Sequence, residues 1–318
     1  MGKKYASKEL GEQTLTIYQT HIKNHILPTF SHKRLDQIKP IHIVNWLDDL
    51  KRTDKTENQL SSSTKKYVYR VMRNIMERAT EWQLISSNSL VNVKKPKEDK
   101  REVNVYTNKE IEELFEHAQN QPLYWRVFTS LALAAGLRRG ELLGLEWKHI
   151  DFENNKVHVR QSIGRGKDNK PIIKSTKSGK ARTVSLPASV MIELVQYKSH
   201  WETERDDAGD SWIENEHEFV FCNIDGKHFY PTTPTTWWRR FTTKAKVRYI
   251  RLHDLRHTSA TLLINQGVHA KIISERLGHA DIRITMDTYG HALEIADQEA
   301  ANKLDSIFDR IQTKSTSY

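Results

Sequence analysis

The stretch that most constrains this chain is residues 250–291, IRLHDLRHTSATLLINQGVHAKIISERLGHADIRITMDTYGH. His253 and Arg256 open an apolar-periodic run (Leu252, Leu255, Ala260, Leu262, Leu263). Their three-residue spacing on a helix puts both side chains on one face, about one turn apart. Gly267 ends the run as a left-handed cap would, and a second short helix is predicted from His269 to Leu277. Gly278 stops that helix with His279 at the stop, and a third polar–apolar stretch then presents Tyr289. The rest of the chain reads as support for this unit.

An arginine, two histidines and a tyrosine in one small unit are parts for phosphoryl chemistry on a polyanion. Arginine recognises phosphate oxygens in a planar, two-pronged way and keeps its charge. Histidine donates to the same oxygens or moves protons near neutrality. A tyrosine hydroxyl serves as a covalent nucleophile when its neighbours take the proton and offset the charge. A zinc-protease reading of His253 to His257 is weaker, because Asp254 stands where that chemistry needs Glu and no third ligand sits at a suitable spacing. A lone tyrosine near a chain end is usually a packed or exposed residue; its neighbours single out Tyr289. His257 and His291 read as structural or supporting residues.

Charge placement says more than the net +10. Residues 1–100 carry 19 Lys and Arg against 11 Asp and Glu, and residues 101–318 carry 31 against 29. Within the second part, 202–218 holds eight acids and one arginine, so two basic regions flank an acidic loop expected to face away from a nucleic acid. The single Cys222 excludes an internal disulfide framework and fits a reducing cytoplasm. No window approaches the roughly 18 apolar residues of a membrane span, and nothing at the N-terminus reads as a signal peptide, so a soluble intracellular protein is expected.

The chain is long enough for two domains. A helix is predicted from Thr14, ending before Pro28, and a second begins at Pro40 and carries Ile41, Ile43, Val44, Trp46, Leu47 and Leu50. A long third helix follows the caps Ser61 to Thr64, with Tyr67, Val68, Val71, Met72, Ile75, Met76, Ala79 and Trp82 on its apolar stripe and Lys65, Lys66, Arg70, Arg73 and Arg78 elsewhere. A charged, Pro96-containing segment then reads as a linker. The domain limits are placed at 1–94 for a helical unit, 95–105 for the linker and 106–318 for a second domain.

That second domain opens with Thr107 and Glu110 as a capping box. An apolar helix is predicted over 122–135, ended by Gly136, and Arg138 begins the next element with Glu141 three residues on. The bland reading is a helix-end Arg–Glu pair, with Arg139 as the adjacent alternative. The period then switches to two, giving strand candidates 156–160, 170–174 and 181–186, with 175–182 as the second hairpin turn. A helix over 187–200 leads into the acidic loop, 219–222 reads as a short buried strand, and a helix over 231–247 carries core aromatics and the basic Arg239, Arg240 and Lys244. The tail 292–311 is amphipathic and must bury its stripe in cis or on a neighbouring protomer. The fold class is mainly α with a small antiparallel β-sheet: an all-α N-terminal domain and an α+β second domain.

Three segments, His253-Asp-Leu-Arg256-His-Thr, Leu277-Gly-His279 and Thr285-Met-Asp-Thr-Tyr289-Gly-His291, together resemble the signature of tyrosine recombinases, the phage and conjugative-transposon integrase family. The resemblance is strong from 107 to 291 and diffuse before 93. It implies Tyr289 as nucleophile, Arg138, His253, Arg256 and His279 as catalytic, with His253 accepting the tyrosine's proton or holding the phosphate, and Glu141 as support for Arg138. It also implies a catalytic lysine on the turn before Arg182, placed at Lys177, with Lys174 and Lys180 as alternatives. The implied activity is site-specific cleavage and rejoining of DNA through a 3′-phosphotyrosyl intermediate, with neither metal, cofactor nor ATP. The implied partners are double-stranded DNA with core-type attachment sites, three further copies in a synaptic tetramer (a monomer in free solution), and an excisionase or DNA-bending factor. DNA contacts are assigned to Lys65, Lys66, Arg70, Arg73, Arg239, Arg240 and Lys244. The alternatives are a type IB-like topoisomerase, which usually lacks the His253 equivalent, and a non-catalytic DNA-binding relative. Many integrases carry a further N-terminal arm-binding domain; here the core-binding pattern starts by about residue 14.

Overall fold

The computed structural model describes residues 6–52, 59–97, 103–166, 169–175, 181–214 and 216–289, with Asp305 and Phe308. It divides into two compact units, Met1–Glu102 with Gly166–Lys170, and Val103–Arg165 with Pro171–Tyr318.

In the first unit, α1 (Glu12–His21) continues through a π-helical turn, Ile22–Ile26, into a last turn, Leu27–Phe30. The expected stop before Pro28 is therefore corrected. The wide π turn resets the ladder, and Pro28 falls in the first turn of the final piece, where its missing N–H matters least. In α2 (Pro40–Asp49), Pro40 sits at the first helical position and the helix buries Ile43, Trp46 and Leu47. The Trp46 indole donates to the carbonyl of His25 at 2.8 Å, so the buried ring carries no unmet donor. The amide of Thr64 donates to Ser61 Oγ at 3.3 Å and starts α3 (Ser62–Glu81). A cap of this kind contributes about 1 kcal/mol. Val68, Val71, Met72, Met76 and Ala79 face the core as expected, but Trp82 does not. It lies past the last turn, is 39% exposed, and precedes Gln83 at φ +57°, where the chain turns away. Tyr69 fills the stripe instead, and its hydroxyl donates to the Val93 carbonyl at 3.1 Å.

The second unit opens with α4 (Asn108–Ala118). Thr107 and Glu110 form the expected capping box: the Thr107 amide donates to Glu110 Oε2 at 2.8 Å and the Glu110 amide to Thr107 Oγ1 at 3.3 Å. α5 (Leu123–Ala134) buries Trp125, Val127, Phe128, Leu131 and Ala132, and Gly136 at φ +59° turns the chain into α6 (Arg139–Leu143). Among the described residues five strands follow: β1 (Ile150–Asp151), β2 (Lys156–Val159), β3 (Gln161–Arg165), β4 (Pro171–Ser175) and β5 (Arg182–Ser185). They form two antiparallel sheets, β1-β2-β5 and β3-β4, with Val157 opposite Val184 and Ile163 opposite Ile173. Two expectations change. β3 went unpredicted because Gln161-Ser-Ile-Gly-Arg165 has a single apolar residue. β4 and β5 are not the two strands of a hairpin, because β4 pairs with β3 and β5 with β2.

The helix expected to end near residue 200 runs on as α7 (Ala188–Ala208), so the acidic stretch begins helical rather than as a loop. Trp201 explains the extension. It is buried against Trp147 and Trp212, at ring distances of 5.8 and 5.2 Å, which holds the added turns to the core. Phe219, Val220 and Phe221 are buried as expected, but the segment makes isolated bridges, Glu146 with Phe219 and Cys222 with His228, rather than a strand. α8 (Thr233–Ala245) packs Trp238 and Phe241 inward and stacks Trp237 between Trp125 and Phe241, at 4.2 and 5.1 Å. α9 (Asp254–Asn265) and α10 (Ala270–Leu277) follow, and residues 282–289 are helical. No helix among the described residues is long and apolar enough to cross a membrane.

Candidate active site

Arg138, His253, Arg256, His257 and His279 line one cavity of about 350 Å³, with Gly278, Ala280, Ile284 and Thr288 completing the wall. Each polar group arrives from a helix end or first turn. His253 is the N-cap of α9 and Arg256 lies in its first turn. Asp254 fixes that turn: its buried carboxylate accepts from the Arg251 amide at 3.0 Å and from the Arg251 guanidinium at 2.8 Å. The guanidinium of Arg256, 2% exposed, donates to the carbonyls of Gly136 at 2.7 Å and Leu277 at 2.5 Å. One side chain thus ties the end of α5 to the end of α10. Burial pushes its pKa down to about 9, with the Arg138 charge adding to the effect. It remains a cation at neutral pH.

Arg138 caps α6, with its amide on Glu141 Oε2 and its Nη1 on Glu141 Oε1, both at 2.8 Å. Its Nη2 donates to the Gly278 carbonyl at 3.1 Å. Arg139, the alternative, donates instead to Thr235 Oγ1 at 3.0 Å and does not line the cavity. Glu141 is 4% exposed and also receives both prongs of Arg182, at 2.9 and 2.7 Å. Burial alone pushes that carboxyl up, but Arg182 and Arg138 outweigh it and hold it at about 2. Arg182 further donates to the Arg276 carbonyl at 2.9 Å. Sequence reasoning used Arg182 only as a register mark for the lysine; a single arginine at a strand start carries no sign that it meets Glu141.

Gly278, at φ +66°, ends α10 and places His279. A Cβ at 278 would stand 2.9 Å from Arg182 Cδ, so the turn requires glycine twice over. His279 Nδ1 lies 2.7 Å from Thr285 Oγ1. Burial, then the charges of Arg256 and Arg138, push its pKa down to about 4, so the ring is neutral. The pKa of His253 is lowered for the same leading reason, burial, although one side of the residue opens to solvent.

Tyr289 is 2% exposed, and burial pushes its hydroxyl up to about 12. Its Oη lies 2.7 Å from Nδ1 of His257, a residue the sequence reading left as structural or supporting. The signal for His257 was its four-residue spacing from His253, which stacks the two rings edge to face at 5.2 Å. Lys177, His291 and the amphipathic tail, apart from exposed Asp305 and Phe308, lie outside the described residues.

Of the basic residues expected at DNA, Lys65 and Lys66 are half-buried on α3 and Arg70 and Arg73 are exposed there. Arg73 pairs with Glu77 at 2.7 Å, and Arg70 lies over the Tyr67 ring at 5.3 Å. Arg239, Arg240 and Lys244 are exposed on α8.

Two guanidinium groups and neutral imidazoles around one cavity, with a phenol bonded to one of those imidazoles, suit transfer of a phosphoryl group to a tyrosine. The scaffold and site are those of an enzyme of phosphodiester exchange. The phage integrase family model matches residues 104–294, well over half the chain, and a phage integrase N-terminal SAM-like domain matches residues 3–51. This chain belongs to the phage integrase family, the tyrosine recombinases. A XerC-like tyrosine recombinase of Caldanaerobacter subterraneus is 28% identical over 313 residues, covering 93% of this chain and 78% of the relative. The fold is shared with the Tn1549 transposon integrase in complex with transposon right end DNA, at TM-score 0.78 and 19% identity, covering 94% and 97% of the two chains. It is shared also with a lambda integrase tetramer bound to a Holliday junction, at TM-score 0.61 and 19% identity, covering 88% and 75%. The enzyme cleaves and rejoins DNA in site-specific recombination.

Proposed function

We propose that Tyr289 attacks a DNA phosphodiester held in the cavity, giving a 3′-phosphotyrosyl link and a free 5′-hydroxyl, and that a 5′-hydroxyl from another strand reverses the step. The carrying observation is the convergence of Arg138, Arg256, His253 and His279 on that cavity, with Tyr289 bonded to a fifth lining residue, His257. Arg138 and Arg256 stabilise the non-bridging oxygens as charge develops; losing either lowers the cleavage rate by about 10²–10³. His253 holds the phosphate beside Arg256. A Thr285 hydroxyl donating to Nδ1 of neutral His279 leaves an Nε2–H for a phosphate oxygen. Glu141 orients Arg138 through two bonds. Lys177 protonates the leaving 5′-oxygen. The bond energy is kept in the phosphotyrosine, so no metal, cofactor or ATP is needed.

We infer that residues 1–94 form a core-type DNA-binding domain, joined through 95–105 to the catalytic domain 106–318. Lys65, Lys66, Arg70, Arg73, Arg239, Arg240 and Lys244 contact the duplex at core-type attachment sites of a mobile element. The active assembly is a homotetramer on two sites, aided by an excisionase or DNA-bending factor, and acts in the bacterial cytoplasm at the nucleoid. The tetrameric relative on a Holliday junction supports the assembly.

The test uses two different nicked duplexes carrying attachment sites, in EDTA. Wild type should form a protein–DNA adduct and join strands of one duplex to the other, and Tyr289→Phe should do neither. An adduct that only reseals within its own duplex selects a topoisomerase. Tight binding with no adduct selects a binding-only protein.

A further inference from the structure

The tyrosine of this reaction must lose a proton as it bonds to phosphorus, and among the described residues the structure puts an imidazole at hydrogen-bond distance from it. Nδ1 of His257 lies 2.7 Å from Tyr289 Oη, a hydrogen-bond distance, and their rings are 5.7 Å apart. His257 also lines the cavity in which Arg138, Arg256 and His279 converge, so it connects the nucleophile to the reacting centre. Its neighbour His253 lines the same cavity, and the two rings meet edge to face at 5.2 Å. We infer that His257, not His253, is the proton acceptor for Tyr289 in cleavage and returns that proton in rejoining. The inference rests on Tyr289 being the nucleophile.

The step balances without any further reagent. As Oη bonds to phosphorus, the phenol O–H breaks and its proton passes to His257 Nδ1, giving an imidazolium. The bond from phosphorus to the 5′-oxygen breaks, and that oxygen leaves with a proton from the acid on its own side. In the return step the incoming 5′-hydroxyl gives its proton back to that deprotonated acid, Oη leaves phosphorus, and the imidazolium reprotonates it. A positioned acid or base of this kind contributes about 10²–10⁴ in rate.

Electrostatics keeps the ring unprotonated, though a weaker base than free imidazole. Burial, then the facing His253, pushes His257 down to about 4, while Asp254 pulls the other way. The ring is therefore neutral and has a free lone pair at working pH. With Nδ1 accepting from the phenol, the ring proton sits on Nε2. Arg256 and Arg251 also depress His257. A phosphodiester held on Arg256 offsets part of that positive charge, which raises the basicity of His257 as substrate arrives.

The experiment combines His257→Gln with fluorotyrosine at position 289. Glutamine keeps a hydrogen bond to the phenol but cannot take its proton, and a fluorinated phenol ionises more readily and needs a base less. DNA binding by His257→Gln, measured on the attachment-site duplex, should match wild type and checks that the variant is folded. Adduct formation should fall about 10²-fold in His257→Gln. Fluorotyrosine should restore about tenfold of this loss, while changing the rate less than about threefold in wild type and in His253→Gln. Equal fluorotyrosine effects in all three backgrounds, or the larger effect in His253→Gln, overturn the assignment. So does an undiminished rate in His257→Gln while wild type forms its adduct, and that result leaves Tyr289 as nucleophile untouched. Loss of the adduct in wild type itself overturns the nucleophile and the acceptor together.

Discussion

Glu141 and Arg182 meet in a two-pronged ion pair, Nη1 to Oε1 at 2.9 Å and Nη2 to Oε2 at 2.7 Å, on the same carboxylate that receives Arg138. Arg182 belongs to β5 and Arg138 to the start of α6, so one buried carboxylate joins the sheet to the cavity wall. Removing Arg182 leaves part of that charge uncompensated, which costs about 3–5 kcal/mol in a buried pair. Arg182→Ala should lower the unfolding midpoint in urea accordingly and slow adduct formation more than it weakens DNA binding. An unchanged midpoint contradicts the structural role given to the pair.

The same carboxylate makes stability depend on acid. Its pKa is held at about 2 against the usual 4.5. A depressed carboxyl stabilises the fold in full above its unfolded value and loses that contribution as pH falls through the folded one. Between pH 4.5 and about 2 the wild type should lose on the order of 3 kcal/mol through this group. Glu141→Gln, less stable at neutral pH, should lose less stability over that window. Parallel pH curves for the two proteins contradict the assignment.

Gly278 carries strain and crowding together. It sits in the left-handed region at φ +66° and ψ +47°, where alanine costs about 1–2 kcal/mol. A Cβ there would also stand 2.9 Å from Arg182 Cδ. Gly278→Ala should lose more stability in urea than that backbone cost and should also slow cleavage, because Arg182 and His279 both shift. A loss no larger than about 1–2 kcal/mol removes the crowding argument.

The basic faces are read through salt. Removing one side chain that neutralises a phosphate lowers the slope of log affinity against log salt by about 0.9. Arg239→Ala, Arg240→Ala and Lys244→Ala, each exposed on α8, should each lower it by up to that amount. Replacing Arg73, already paired with Glu77 at 2.7 Å, should lower it less than replacing Arg70. Fluorescence anisotropy between about 50 and 200 mM salt is a suitable readout. Slopes that do not change place the DNA elsewhere.

Much of this molecule was legible because its signals are local. The Thr107–Glu110 box, the caps at Ser61 and Pro40, and the stops at Gly136 and Gly278 depend on residues within a turn of one another. The cavity residues were legible as three separated boxes, each read at its own helix end. What escaped was long-range. Trp201 extends α7 only because Trp147 and Trp212 lie across the core, and the pairing of β5 with β2 rather than β4 depends on the whole sheet. The His257–Tyr289 bond joins residues 32 positions apart and Arg182–Glu141 joins residues 41 apart, so no local pattern carries either. Pro28 misled for the opposite reason: its local rule was right, but the π turn before it changed which helical position it occupied.

The most direct test of the central claim is to map the covalent bond itself. Trapped wild-type adduct is digested with nuclease and protease, and the nucleotide-bearing peptide is sequenced by mass spectrometry. The account predicts a nucleotide joined through its 3′-phosphate to Tyr289, with a free 5′-hydroxyl on the released strand. A nucleotide on any other residue, or one joined through its 5′ end, contradicts it.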